Sequence, residues 1–204
     1  MALLVLGTGN RKKGIELAGL VAPLGLEVKT LADFPEAIEV VEDGATFAEN
    51  ARLKAARQAI HLGRWVLADD SGLSVDALKG APGVFSARYS DPGATDARNN
   101  TKLLQALQGI PVERRTARFV CHVALADPTG KLRTESHADC RGRIIPELRG
   151  GQGFGYDPLF EIVEYHRTFG ELGLTVKAFL SHRARAMRQI LPEIQRLIAI
   201  GEWV

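Results

Sequence analysis

Thr8-Gly9-Asn10-Arg11-Lys12-Lys13 follows a short apolar run and opens a helical pattern. Backbone N–H groups and the positive end of a helix dipole therefore converge beside a lysine ammonium, an arrangement suited to an anion such as phosphate. The spacing is not a Walker A loop, which would need glycine at position 12 and Ser or Thr at position 14, and it lacks the GxGxxG dinucleotide pattern. A surface turn with solvated cations uses the same residues. Asp69 and Asp70, with Glu42 upstream, offer hard oxygen ligands. Mg²⁺ takes one or two carboxylates and leaves its other positions to water and phosphate; the structural alternative is a capping Asp69 beside a solvated Asp70.

Gly150-Gly151-Gln152-Gly153-Phe154-Gly155-Tyr156-Asp157-Pro158 is too rich in glycine for a helix or strand interior, yet it embeds two aromatic rings and a carboxylate. Glycine lets backbone approach a planar ligand closely. Phe154 or Tyr156 would then stack on a nucleobase, worth roughly 1 to 3 kcal/mol in nucleic-acid complexes; a structural turn with Tyr156 packed inward has the same composition. Ser181-His182-Arg183 opens the last helical pattern, with Ser181 as N-cap and two cations in the first turn. The dipole disfavours cations there unless an anionic or polar partner offsets them, so a ligand-facing role competes with an ordinary surface histidine. No Ser/His/Asp or Cys/His order accompanies these residues, and covalent nucleophilic catalysis has no support.

The elements that must position these groups follow from periodicity. A buried strand spans 2–6, followed by a helix carrying Ile15, Leu17, Ala18, Leu20 and Val21, and a second strand spans 26–30. Thr46 and Glu49 form a capping box for a helix over 46–61, with Phe47, Ala51, Ala55 and Ala59 on one face and Asn50, Lys54 and Arg57 pointing elsewhere. The apolar run 65–68 reads as a strand that ends at Asp69-Asp70, the end at which open α/β sheets bind ligands. Residues 79–99 read as a long loop and precede a short helix through Leu103, Leu104 and Leu107. Alternation over 116–125 and 132–145, around Asp127-Pro128-Thr129-Gly130, predicts an antiparallel hairpin and hence a mixed sheet. Over 181–200, Ala184, Met187, Ile190, Leu191, Ile194, Leu197 and Ile198 fall on one helical face, with Pro192 as a kink.

The 204 residues carry 26 Lys+Arg against 24 Asp+Glu, a net charge of +2, and are 46% hydrophobic and 25% charged. Such a balance excludes a disordered chain and disfavours a nucleic-acid partner. Cys121 and Cys140 lack any metal or redox spacing and are expected as buried thiols. No apolar run approaches the ~18 residues of a membrane span, and the positive charges follow the first apolar stretch instead of preceding it. The expectation is a cytoplasmic protein with neither a membrane nor a nucleic-acid partner, organised as a single domain over 1–204 without separate modules.

Six blocks, in order, resemble one family, the inosine/xanthosine triphosphate pyrophosphatases: TGNRKK (8–13), EDGATFAENARLKA (42–55), ADDSGLSVDAL (68–78), GAPGVFSARYS (80–90), GFGYDPLF (153–160) and, after Lys177, SHR (181–183). The resemblance implies an elongated α/β fold, a mixed central sheet flanked by helices, and two lobes around a deep nucleotide-binding cleft. It also implies a homodimer that hydrolyses dITP, ITP and XTP with Mg²⁺ to the monophosphate and pyrophosphate. By motif position, Thr8, Gly9, Asn10, Arg11, Lys12 and Lys13 would hold the triphosphate. Glu42 and Asp70 would bind metal, with Asp70 also the base for water, and Ser71 would touch substrate. Phe154, Gly155, Tyr156 and Asp157 would line the base pocket, completed by Lys177, His182 and Arg183, while Asp69 would play a supporting part. Donors such as Arg183 or backbone N–H groups facing the purine 6-oxo oxygen would disfavour a 6-amino purine, because a donor would meet a donor. Ala138 stands where the family's Gly-x-x-x-Gly stretch, ending at Gly142, has its first glycine. Preference for altered pyrimidine nucleotides, or nucleotide sensing without turnover, are the alternative functions; intact Asp70, Glu42 and Lys13 argue against the second.

Overall fold

The computed structural model describes residues 2–203. In chain order its regular elements are β1 (Leu3–Leu6), α1 (Arg11–Val21), β2 (Glu27–Thr30), α2 (Phe47–Leu62), β3 (Trp65–Val75), α3 (Asp96–Ala106), β4 (Thr116–Ala126), β5 (Leu132–Ile144), β6 (Phe160–Ile162), β7 (Arg167–Thr168), α4 (Phe169–Leu180) and α5 (His182–Ala199). They build one seven-stranded sheet in the order β2-β1-β3-β4-β5-β6-β7. β1 runs parallel to β2 and β3, whereas β6 runs antiparallel to β5 and β7, so the sheet is mixed as the alternation predicts. The chain divides into two compact units, one comprising the chain up to Asp70, Cys121–Ala138 and the chain from Arg183 onward, the other Ser71–Val120 and Asp139–His182.

In the first unit the sheet separates two apolar layers. On one face Leu4, Leu6, Trp65, Leu67, Cys121, Val123 and Leu125 meet Leu17 and Val21 of α1 and the α5 stripe Met187, Ile190, Ile194 and Leu197. Burial of each large side chain contributes about 1.5–3 kcal/mol. On the other face Val5, Val66, Ala68, Ala124 and Ala126 pack on Ala51, Ala55 and Ala59 of α2, whose small side chains let the helix lie close to the sheet. That helix starts where its capping box demands: Glu49 N–H donates to Thr46 Oγ1 at 3.2 Å, and Thr46 N–H donates to Glu49 Oε2 at 3.1 Å. In the second unit Leu73, Val75, Leu103, Leu107, Phe119, Ile144, Tyr156, Phe160 and Phe169 form a separate core.

Three readings of the sequence need correction, and one element went unread. β3 does not end before Asp69 but runs on to Val75, because the strand continues past half-buried Ser71 through buried 72–75 in the second unit. The stretch 79–99 is not a plain loop: Gly83–Arg88 forms a 3₁₀ helix, and α3 already begins at Asp96, where the Thr95 hydroxyl caps Arg98 N–H at 3.2 Å. α4 has no counterpart in the periodicity, since Gly170 and Gly173 interrupt its pattern and Gly173 sits at φ +78° inside it. Thr168 and Glu171, a second capping box, were the legible sign of its start. Ile15 of α1 points outward at 65% exposure, although it fits an apolar helical pattern.

Ala138 is accommodated as a small buried residue of the first core, whereas a Cβ at Gly142 would collide with Glu161 O and the Phe160 ring. Only the second glycine of that stretch is required by close approach. Cys121 and Cys140 are buried. Among the described residues no helix is long and apolar enough to cross a membrane.

Candidate active site

Strand alternation divides the two adjacent carboxylates. Trp65 and Leu67 face the α1/α5 layer while Val66 and Ala68 face α2, so Asp69 continues the first row and Asp70 the second. Both are buried, at 1% and 6% exposure, and each needs a cationic partner to be tolerated as an ion.

Asp69 meets Arg183, whose Nε and Nη2 each donate to Asp69 Oδ2 at 3.2 Å while Nη1 donates to Glu16. Lys13 Nζ lies 3.5 Å from the same Asp69 oxygen. Burial opposes the charge on Arg183, but the carboxylates of Asp69 and Glu16 outweigh it and hold the guanidinium above its usual range. Burial, reinforced by Asp69, pushes the Cys121 thiol up, so it stays protonated and donates weakly to Asp69 at 3.9 Å. Arg183 thus finds the anionic partners that its place in the first turn of a helix requires, and those partners are protein carboxylates.

Asp70 meets α2. Lys54 Nζ donates to Asp70 Oδ1 at 2.9 Å and lies 3.2 Å from Glu42 Oε2; Asn50 Nδ2 donates to Asp70 Oδ2 at 3.3 Å. The other end of the Asn50 amide accepts Gly44 N–H at 2.8 Å, tying the acidic loop to the start of α2. A Cβ at Gly44 would stand 2.6 Å from that amide oxygen, so the loop closes only around glycine. Burial raises the Asp70 carboxyl above the ordinary range, with Lys54 and Lys13 pulling the other way. Burial also opposes the Lys54 charge, but Asp70, Asp69 and Glu42 outweigh it and raise its pKa.

Glu42 and Asp70 converge on a single ammonium, which gives two hard oxygen donors around one centre of positive charge. That donor set fits a hydrated divalent cation with one or two carboxylates, the habit of Mg²⁺. Among the described residues no group of three or more His, Cys, Asp or Glu forms a fuller metal cage.

The α1 terminus is more occupied than its sequence implies. Asn10 Oδ1 accepts Lys12 N–H at 3.0 Å and Lys13 N–H at 3.2 Å, and Asn10 N–H donates to Thr8 Oγ1 at 3.2 Å. Gly9, Asn10, Arg11 and Lys12 are exposed, while Thr8 and Lys13 are half-buried.

In the second unit Ser71 is half-buried at its start, and the 150–158 segment is irregular as expected. Asp157 is buried with Lys177, whose Nζ donates to Asp157 Oδ2 at 2.6 Å and lies 4.2 Å from the centre of the Phe154 ring. Phe154 N–H donates to the same Asp157 oxygen at 2.8 Å. A Cβ at Gly153, which has φ +82°, would collide with that carboxylate. Tyr156 packs inward at 3% exposure and its hydroxyl donates to Ser86 O at 2.8 Å, so it supports the loop from within instead of offering a ring. His182 is no surface histidine: it is buried and stacks on Phe119 with centroids 4.9 Å apart and planes at 11°. Gly155 N–H donates to Asp96, and Asp157 N–H to Phe154 O, so these loop donors are engaged within the protein.

Two partners escaped the sequence reading. Asn50 and Lys54, expected to point away from the α2 packing face, both turn to Asp70. Their i,i+4 spacing beside the alanine stripe was the available signal. Asp69, expected only to support, is where Arg183 and Lys13 meet.

The Ham1 family model matches residues 4–193. A dITP/XTP pyrophosphatase of Rhodopirellula baltica is 57% identical over 195 residues, covering 96% of this chain and 94% of its own. One from Desulforamulus reducens is 50% identical, covering 95% and 96%. Among solved structures, a HAM1 protein from Coxiella burnetii superposes with a TM-score of 0.87 at 37% identity, covering 96% of this chain and 100% of its own. A nucleoside-triphosphatase/dITP/XTP pyrophosphatase from Mycobacterium abscessus superposes at 0.75 with 43% identity, covering 93% and 99%.

Proposed function

The chain belongs to the Ham1 family, and we propose that it hydrolyses the non-standard purine nucleoside triphosphates dITP, ITP and XTP to the monophosphate and pyrophosphate. The observation that carries this reading is Asp70, a buried carboxylate of raised pKa held by Lys54 and Asn50 and sharing that lysine with Glu42. Lys54 and Asn50 fix both Asp70 oxygens, so the proton acceptor is oriented before substrate arrives.

Lys13, together with Thr8, Gly9, Asn10, Arg11 and Lys12, receives the triphosphate in this reading. Asn10 already caps the helix, so Lys13 and the exposed cations, more than the first helical N–H groups, supply the attraction. Glu42 and Asp70 would hold Mg²⁺, which when bound supplies positive charge that screens the attacked and departing phosphates. Phe154 offers the base its ring, kept in place through Asp157 and Lys177. Gly155 and Tyr156 shape that loop, and Ser71, His182 and Arg183 complete the substrate-binding set. The reading extends to a homodimer working in the cytoplasm.

Because Arg183 is engaged by Asp69 and Glu16, and the loop N–H groups of Phe154, Gly155 and Asp157 by protein acceptors, discrimination against a 6-amino purine cannot be assigned to these donors as they stand here. Pyrophosphate release from dITP, ITP, XTP, ATP and GTP, with Mg²⁺ and with EDTA, tests the proposal. Metal-dependent release from the first three, well above the last two, is expected; flat or absent release overturns it.

A further inference from the structure

Phe154 stands in a segment with glycines at 150, 151, 153 and 155, which on its own would sample many backbone states. Two contacts from a single turn of α3 oppose that freedom. Asp96 Oδ2 accepts Gly155 N–H at 2.9 Å, and Asn100 Nδ2 donates to Gly155 O at 3.0 Å. Both backbone polar groups of the residue following Phe154 are thereby held, at a φ of +62°. A third α3 residue, Asn99, donates to Ser86 O at 3.3 Å and to Ala87 O at 3.0 Å; Ser86 O is also the acceptor of the Tyr156 hydroxyl. Residues 96, 99 and 100 share one helix face by their i,i+3,i+4 spacing. Below them the face turns apolar at Leu103, which anchors α3 in the core of the second unit.

We propose that Asp96 and Asn100 are positioning residues for nucleobase binding, fixing the Gly155 peptide groups so that the Phe154 ring is presented in one orientation. The inference rests on the proposed function above, in which Phe154 receives the base. Neither side chain touches substrate. A loop that is only partly in its competent state weakens apparent affinity by that fraction, so loss of the clamp acts on base binding and leaves the proton chemistry at Asp70 in place. Asp96 is exposed, so its removal spares the core, whereas Asn100 is buried and its removal leaves Gly155 O without that donor.

The test measures KM and kcat for dITP, and calorimetric Kd for IMP and for pyrophosphate, in wild type, Asp96→Ala, Asp96→Asn and Asn100→Ala. Asp96→Ala and Asn100→Ala should raise KM and the IMP Kd about tenfold, keep kcat within about twofold and leave the pyrophosphate Kd unchanged. Asp96→Asn, which retains an acceptor oxygen, should stay near wild type. Wild-type affinity for IMP in Asp96→Ala overturns the clamp, as does equal weakening of IMP and pyrophosphate or failure of Asp96→Asn to rescue. A wild-type protein that does not turn over dITP overturns the proposed function itself, a result distinct from an active wild type with indifferent variants.

Discussion

The two units of this chain secure their polar groups in different ways. In the first, charge is held by charge: Asp69 by Arg183 and Lys13, Asp70 by Lys54, and Glu16 by Arg183. In the second, the glycine-rich segment is held through its peptide groups, by the carboxylates of Asp96 and Asp157 and the amide of Asn100, with one buried pair, Asp157 and Lys177, behind the Phe154 ring. Opposite charges in a dry environment stay fixed at the expense of desolvation, which suits the proposed triphosphate chemistry. Hydrogen bonds to backbone hold a loop in one orientation, which suits the proposed reception of a planar base at Phe154.

The comparison is broken most directly at Asp70. Asp70→Asn keeps the shape but leaves one acceptor oxygen where Lys54 and Asn50 use two, and it removes the proton acceptor; kcat should fall by about 10³-fold or more while dITP binding remains measurable. Near wild-type turnover would remove Asp70 from the mechanism and shift attention to the second unit. Next in size, Arg183→Met should lower unfolding free energy by about 3–5 kcal/mol in chemical denaturation, because it strands Asp69 and Glu16 without their guanidinium. A loss under about 1 kcal/mol would mean that Lys13 alone suffices for Asp69.

The smallest effect sharpens the contrast from the other side. In the second unit Glu161 accepts from Arg143 and, at 2.9 Å, from Arg149, both of which retain access to solvent. Burial raises the Glu161 pKa, but the two arginines outweigh it and hold it below the ordinary carboxylate value. A depressed folded pKa contributes stability that is complete above the unfolded value and lost as pH falls through the folded one. Glu161→Gln should therefore cost about 2 kcal/mol near neutral pH, and the gap to wild type should close on acidification below about pH 4. Denaturation midpoints between pH 7 and pH 3 would show this; a gap that persists into acid would assign the loss to packing instead.

Much of this was legible in the sequence. The Thr46/Glu49 box fixed the start of α2, and the α5 stripe from Ala184 to Leu197 announced its buried face, because capping and helical periodicity are local. The Thr168/Glu171 box carried the same information for α4, yet glycines at 170 and 173 hid the helix that Lys177 needs. Failures were of another kind where distant segments meet. Lys54 is 16 residues from Asp70, and Arg183 is 114 from Asp69; no periodicity links such pairs.

Local residue types, then, determined which groups are candidates for chemistry: two adjacent carboxylates, a lysine beside a helix start, and an aromatic among glycines. Tertiary structure alone decided how they are employed. Strand alternation sends Asp69 toward Arg183 and Asp70 toward Lys54, and the packing of α3 decides that Gly155 is held by Asp96 and Asn100. The reason is physical: a residue's chemistry resides in its own atoms, whereas its pKa, orientation and partners depend on what burial removes and on which distant side chains replace the lost water.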